Sequence, residues 1–244
     1  MKKLVMLVLA LSIITMLAAC GNDSDSDSGS KKKSDDDQAK TEQSEQQKNQ
    51  EVTISDDEKL AKDDVVAKVN DKQIKGTQYN DAYAQTKVLM NQYGEDVSDK
   101  DQLKEQTMNV LIQQELVKQD AEKKGINVSD DAVDKEFKKM KSDNEEQFQS
   151  VLDQYKLSEE GYKNQLAFEM IIDKYMDQEL PDVDVSDDDV KSYYDQLKKQ
   201  NDDIPKFKEV KSQIKDQLAQ QKQSDQLQDK IDKLEKDADI KNMI

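Results

Sequence analysis

The apolar residues of this chain fall in two blocks with a long polar gap between them, and the gap limits what can fold. From Gly21 to about Asp64 there is little besides Asp, Ser, Lys, Gln and Glu, with GNDSDSDSGSKKKSDDD as the most biased stretch. Ordering such a segment costs roughly 1 to 2 kcal/mol per residue, and it has no apolar surface to offset that cost. The gap therefore reads as a solvated tether over residues 20–64. Asp23, Asp25 and Asp27 alternate with serine as in a calcium loop. The sixth position is Ser28 where glycine is needed, and the twelfth is Ser34 where a bidentate glutamate is needed, so solvation is the reading.

The first apolar block, Leu4 to Ala19, follows Lys2 and Lys3 and carries no charge. It is short for about 30 Å of hydrocarbon and has the layout of a secretory signal, residues 1–19. It ends in Leu17-Ala18-Ala19-Cys20, which resembles the lipobox of bacterial lipoproteins. That resemblance implies diacylation of the Cys20 thiol, cleavage before it, and anchoring on the extracytoplasmic face of the cell membrane. Two acyl chains hold a protein on a bilayer where one does not. Cys20 is also the only cysteine, so the fold owes nothing to disulfides.

Charge and residue types exclude several functions. The formal net charge is -17, more negative once Lys2 and Lys3 are removed, which excludes nucleic acid as a partner. The chain has no histidine, which removes the usual general base, metal ligand and triad member together. No cofactor, metal site or catalytic residue is expected.

The second block, residues 65–244, is long enough for one domain. It opens with Val65, Val66, Ala67 and Val69, then Asn70-Asp71-Lys72 and Ile74, a small strand or hairpin. Helical spacing follows over Thr77–Tyr93, with Gly94 as a stop, and over Leu103–Lys124, the strongest amphipathic pattern, ended by Gly125. Three more helices are announced by serine followed by acids, at Ser129, Ser158 and Ser186. The serine hydroxyl caps the helix, and the acids suit the positive end of its dipole. Pro181 closes the helix that starts at Ser158. Beyond Pro205, two apolar stripes, Phe207 to Leu218 and Leu227 to Ala238, flank the polar AQQKQSDQ. One long helix with an exposed middle is expected, its two ends packing on different parts of the fold. The tail Ala238-Asp239-Ile240 is placed to pair with the first strand.

The strings VVAKVNDKQIKGTQY, LIQQELVKQDAEKKGINVSDDAVDKEF, LSEEGYKNQLAFEMIIDKYM and VSDDDVKSYYDQ, in that order, resemble the chaperone domain of the SurA and PrsA type of extracytoplasmic foldases. FKEVKSQIKDQL is similar to the returning helix of that domain. The resemblance implies a mostly α fold, a SurA N-terminal or trigger-factor-like helical chaperone domain, with a long C-terminal helix and a small strand or hairpin at its start. It implies an ATP-independent holdase or foldase whose partners are unfolded or nascent secreted proteins; the non-catalytic reading rests on this chain's own departures from the family. PrsA-type relatives carry a parvulin prolyl isomerase domain between the YYD segment and the returning helix. Here Tyr194 and Phe207 are separated by about a dozen residues, too few for a catalytic domain.

Flexible, polarizable methionines suit promiscuous apolar binding. Met90, Tyr93, Met108, Met140, Phe148, Met170 and Met176 are the candidate client contacts; the same helical spacing equally describes core packing. Two other functions stay open at this level: a prolyl isomerase-related foldase, and an adaptor or spacer lipoprotein dedicated to a secretion or wall component.

Overall fold

The β-branched run at 65 forms strand β1 (Val65–Val69) in the computed structural model of the chain, which describes residues 52–201 and 204–244. Asn70, at φ 53°, supplies the left-handed step that turns the chain into β2 (Lys72–Lys75). The two pair antiparallel, Val69 opposite Lys72 and Ala67 opposite Ile74, with a bulge between Val65 and Ala67. Strand β3 (Ile240–Asn242) lies on the other side of β1, Val69 opposite Ile240, so the sheet order is β2-β1-β3. The tail pairs with the first strand as its sequence indicates. Asn70 also accepts a bond from the Asp239 amide at 3.0 Å and donates to the buried Gln119 at 2.8 Å. Gln119 in turn donates to the Val69 carbonyl at 3.0 Å, which ties the sheet to the helix beneath it.

That helix is α2 (Lys100–Lys123), which follows α1 (Gly76–Gln92). Their inward faces, Tyr79, Tyr83 and Met90 from α1 and Leu103, Met108, Leu111, Ile112 and Leu116 from α2, close the first core against Val66, Val69 and Ile74. Asp99 caps α2 by accepting from the amides of Asp101 and Gln102, both at 3.1 Å. Gly125, at φ 76°, lets the chain reverse after Lys124 with its amide on the Glu122 carbonyl.

The serine-acid signals mark helix starts at all three places. Ser129, Ser158 and Ser186 accept from Ala132, Gly161 and Asp189 at the heads of α3 (Asp130–Asp143), α5 (Glu159–Glu179) and α6 (Asp187–Gln200). Asn144 performs the same task for α4 (Glu145–Gln154). At α6 the cap is reciprocal, since Asp189 accepts from the Ser186 amide at 3.2 Å. Replacing Ser186 by alanine should therefore cost about 1 kcal/mol, measured as a lower denaturant midpoint with faster amide exchange confined to the first turn of α6.

The long helix is α7 (Phe207–Lys236). Its first half packs Phe207, Val210, Ile214 and Leu218 on Val190 and Tyr194 of α6. Its second half puts Leu227 and Ile231 into a cluster with Val117 and Ala121 of α2 and Phe168, Ile172 and Tyr175 of α5. Midway, Lys222 reaches the Asp184 carbonyl at 2.9 Å and Asp189 at 3.0 Å. A further core joins α3, α4 and the start of α5 around Phe137, Phe148 and Tyr162, whose ring centroids lie 5.1 to 6.1 Å apart. The domain is thus held by four separate small cores that α2, α5 and α7 thread together.

The start of the folded unit differs from the sequence reading. The described residues of the domain reach back to Val52, so residues 52–64, assigned by composition to the tether, lie on the domain. Ile54 and Leu60 pack on the first core and Glu58 is buried. Two spaced apolar side chains and one buried acid suffice to seat a segment that is otherwise polar.

Candidate functional site

The candidate client contacts divide by burial. Met90, with 0% of its surface exposed, and Met108 belong to the core beneath the sheet. Phe148 is one of the three rings packed edge-to-face between α3, α4 and α5. Met140 and Met170 are half-buried at the edge of that cluster, and Met140 sulfur accepts from the Tyr162 hydroxyl at 3.5 Å. Met176 is half-buried beside the cluster of α2, α5 and α7. Tyr93, just past α1, is 62% exposed. The seven are therefore spread over several clusters, and four of them, Tyr93, Met140, Met170 and Met176, reach solvent. Cys20 lies outside the described residues.

The most elaborate polar arrangement is one that composition hides. Residues 52–64 run along α1 as a strap, with a single 3-10 turn at Asp56–Glu58. The Glu58 side chain, 3% exposed, accepts from Lys87 at 2.5 Å and from the Tyr83 hydroxyl at 2.9 Å. It also accepts from the Ser55 amide at 2.8 Å and the Ser55 hydroxyl at 2.6 Å. Burial pushes the Glu58 carboxyl up, but the bonds from Lys87, Ser55 and Tyr83 outweigh it and hold the group at about 2. The same environment drives tyrosines the other way: burial first, then Glu58, pushes Tyr79 up to about 12, and Tyr83 rises well above its ordinary value.

The strap's main chain is read as well. Asn80 accepts from the Leu60 amide at 2.9 Å and donates to the Leu60 carbonyl at 2.8 Å, as a neighbouring strand would. Lys87 donates to the Thr53 carbonyl at 3.0 Å. Thr77 donates to the Lys62 carbonyl from both its hydroxyl, at 3.2 Å, and its amide, at 3.1 Å. The Gly76 amide reaches the Asp64 carbonyl at 2.8 Å, and a Cβ on Gly76 would sit 2.0 Å from the Ala61 carbonyl oxygen, so only glycine allows the crossing. Beside the strap lies a cleft of about 470 Å³ between Val52, Thr53 and Ile54 on one wall and Asn80, Asp81 and Ala84 on the other. Burial, then Glu160, raises the Asp81 carboxyl there, while Lys62 opposes the shift.

The serine of this node was visible in the sequence. Ser55-Asp56-Asp57-Glu58 repeats the serine-acid device of the three helix starts and has the S-x-x-E spacing of a capping box. Its place inside a polar tract concealed it. Elsewhere, single half-buried ionisable groups are shifted by burial. Burial raises Glu169, which Gln165 contacts at 3.1 Å, and burial lowers Lys118, whose ammonium sits 5.4 Å from the Phe168 ring. Among the described residues no group of three or more His, Cys, Asp or Glu is placed to hold a metal ion, and no helix is long and apolar enough to cross a membrane.

A mostly helical domain with a long C-terminal helix and a small hairpin at its start is the architecture that the SurA-like resemblance implies. The sequence model of the SurA-like N-terminal domain matches residues 1–176, and the chain belongs to that family. Among characterised proteins it is similar to the foldase protein PrsA of Caldanaerobacter subterraneus, 30% identical over 158 residues, covering 60% of this chain and 47% of that protein. It is also similar to the foldase protein PrsA of Clostridium acetobutylicum, 32% identical over 161 residues, covering 62% of this chain and 43% of that protein. The foldase protein PrsA 2 of Bacillus anthracis is 40% identical over 74 residues, covering 30% of this chain and 26% of that protein. The chain spans less than half the length of these relatives.

Proposed function

We propose that this chain is an extracytoplasmic chaperone that holds unfolded or nascent secreted proteins, without nucleotide and without catalysing a bond change. The observation that carries the reading is membership of the SurA-like family together with relatives named as foldases. The fold agrees with it in kind. Apolar surface is distributed over several small clusters at whose margins Met140, Met170 and Met176 remain partly accessible, with Tyr93 exposed nearby in sequence to α1. Flexible thioethers at such margins can meet apolar segments of many shapes.

The anchor belongs to the same proposal. Residues 1–19 act as the export signal, Cys20 takes the lipid, and the polar segment behind it spaces the domain, from Val52 onward, away from the bilayer. The isomerase reading finds its obstacle in the short connection from α6 to α7, where relatives of the PrsA type carry their catalytic domain. A dedicated adaptor role remains the competing reading for a membrane-held domain of this kind.

The deciding experiment is suppression of aggregation of several unrelated denatured proteins by the chain lacking residues 1–19, at low and high salt. Suppression that persists at high salt is expected, because screening weakens charge contacts and leaves apolar ones intact. No suppression, together with capture of one stoichiometric partner from a membrane extract, would replace the chaperone by the adaptor. Acceleration of cis-trans exchange in a proline peptide, normally a process of tens of seconds or longer, would overturn the non-catalytic part.

A further inference from the structure

We infer that the face of α1 beneath residues 52–64 is a binding groove for extended acidic peptide segments, and that the strap is its resident, displaceable occupant. This goes one step past the chaperone reading and rests on it only for where the competing segment comes from, an unfolded client chain.

Two kinds of contact define the groove. Asn80, Thr77, Gly76 and Lys87 bind the strap through its main chain, at Leu60, Lys62, Asp64 and Thr53, and such contacts accept any sequence held extended. Specificity comes from one pocket and two seats. Tyr83 and Lys87 converge on a single carboxylate, and Ile54 and Leu60, four residues before and two after it, rest on the first core. A competing segment thus needs an acid flanked by apolar residues at those offsets.

The occupant is lightly held by apolar contact. Within residues 52–64 only Glu58 is buried, Val52, Ile54 and Leu60 are half-buried, and the rest are exposed. Segments with few buried apolar contacts open at low free energy compared with the whole fold. The cleft beside Val52 to Ile54 leaves room that the strap does not fill. A tethered occupant has an effective concentration in the millimolar range, so an incoming peptide competes poorly until the tether's own contacts weaken.

The test uses the chain from Cys20 onward, with Cys20→Ser, in three forms: unchanged, Leu60→Ala, and Leu60→Ala with Glu58→Gln, so that both substitutions lie on the strap and the groove residues Asn80, Tyr83 and Lys87 are kept. Hydrogen exchange reports release of residues 53–62, with β1 as the control for an intact fold. Fluorescence anisotropy reports binding of a labelled synthetic peptide with the sequence of residues 52–64, and of the same peptide with glutamine in place of its buried glutamate. Strap exchange at least about tenfold faster in the double variant, with β1 still protected, is expected. That variant should bind the peptide at least about tenfold tighter than the unchanged chain, and bind the glutamine peptide about tenfold more weakly. Should the double variant lose β1 protection, Leu60→Ala alone, which removes one of the strap's apolar seats, decides by the same two readouts. A strap that is released without peptide binding, or one that stays protected in the double variant, overturns the groove. Peptide binding without suppression of aggregation would leave the groove standing and remove the chaperone reading instead.

Discussion

Replacing Glu58 by alanine should cost the fold about 3 kcal/mol, among the largest effects of any polar substitution in the chain. The substitution removes the acceptor for Lys87, for the Tyr83 hydroxyl and for both Ser55 donors. Lys87, whose side chain is 12% exposed, is then left half-desolvated without its counter-ion. For a domain of this size the loss corresponds to a fall of roughly 6 to 12 °C in Tm. A pH dependence accompanies it. The folded pKa of about 2 lies below the ordinary 4.5, so the stabilisation is complete above about pH 4.5 and disappears as the pH falls from there towards 2. Asp81 and Glu169, raised by burial, act in the opposite sense and favour the folded state as they protonate. Denaturant midpoints of the parent and of Glu58→Ala, taken from pH 7 down to 3, should converge as the pH drops. Curves that stay parallel would show that the carboxylate contributes nothing through its charge.

Leu227→Ala should be as damaging, at about 3 to 4 kcal/mol, for a different reason. Leu227 is 1% exposed and sits where α7 meets α2 and α5, among Val117, Ala121, Ile126, Phe168, Ile172 and Tyr175. These side chains come from backbone that is pinned at several points. Tyr175 donates to Asp120, Lys230 pairs with Asp120 at 3.4 Å, and Lys124 pairs with Glu179. A cavity there has little freedom to collapse. Ile214→Ala, in the separate core of α6 and α7, removes a similar amount of apolar surface but should loosen that hairpin while β1 amides stay protected. Chemical denaturation of the two variants, with hydrogen exchange alongside, distinguishes them. A cost for Leu227→Ala below about 1 kcal/mol would mean that the second half of α7 is not an integral part of the fold.

Most of the fold was legible because its signals are local. Apolar spacing of three and four gave the helices, and Ser129, Ser158 and Ser186 marked their starts. Asn70-Asp71 fixed a two-residue hairpin, and one isoleucine in a short tail was enough to indicate β3. The strap was not legible, because its anchors Ile54, Glu58 and Leu60 are few and set among polar residues, one of them is itself an acid, and an average over residues 20–64 sees only polarity. Burial of a carboxylate depends on donors supplied from α1, about 25 residues later in the chain, which no local pattern contains. The methionines show the same limit from the other side. Met90 and Met140 both sit at helical spacing, yet one is sealed beneath the sheet and the other lies at the margin of a small cluster. Periodicity gives the inward direction of a helix without saying what covers it.

The sheet's central strand waits for its second neighbour. Asn70 is bonded to Asp239 across 169 positions of sequence, so β3 can dock only after nearly all of the domain has been synthesised. Contacts of such high sequence separation form late, because closing the intervening loop must precede any gain from them. Until then β1 presents a bare row of amides and carbonyls along one side, an edge prone to pair with any extended strand nearby. A nascent molecule of this protein is for that interval a substrate of the kind its finished form is proposed to shelter.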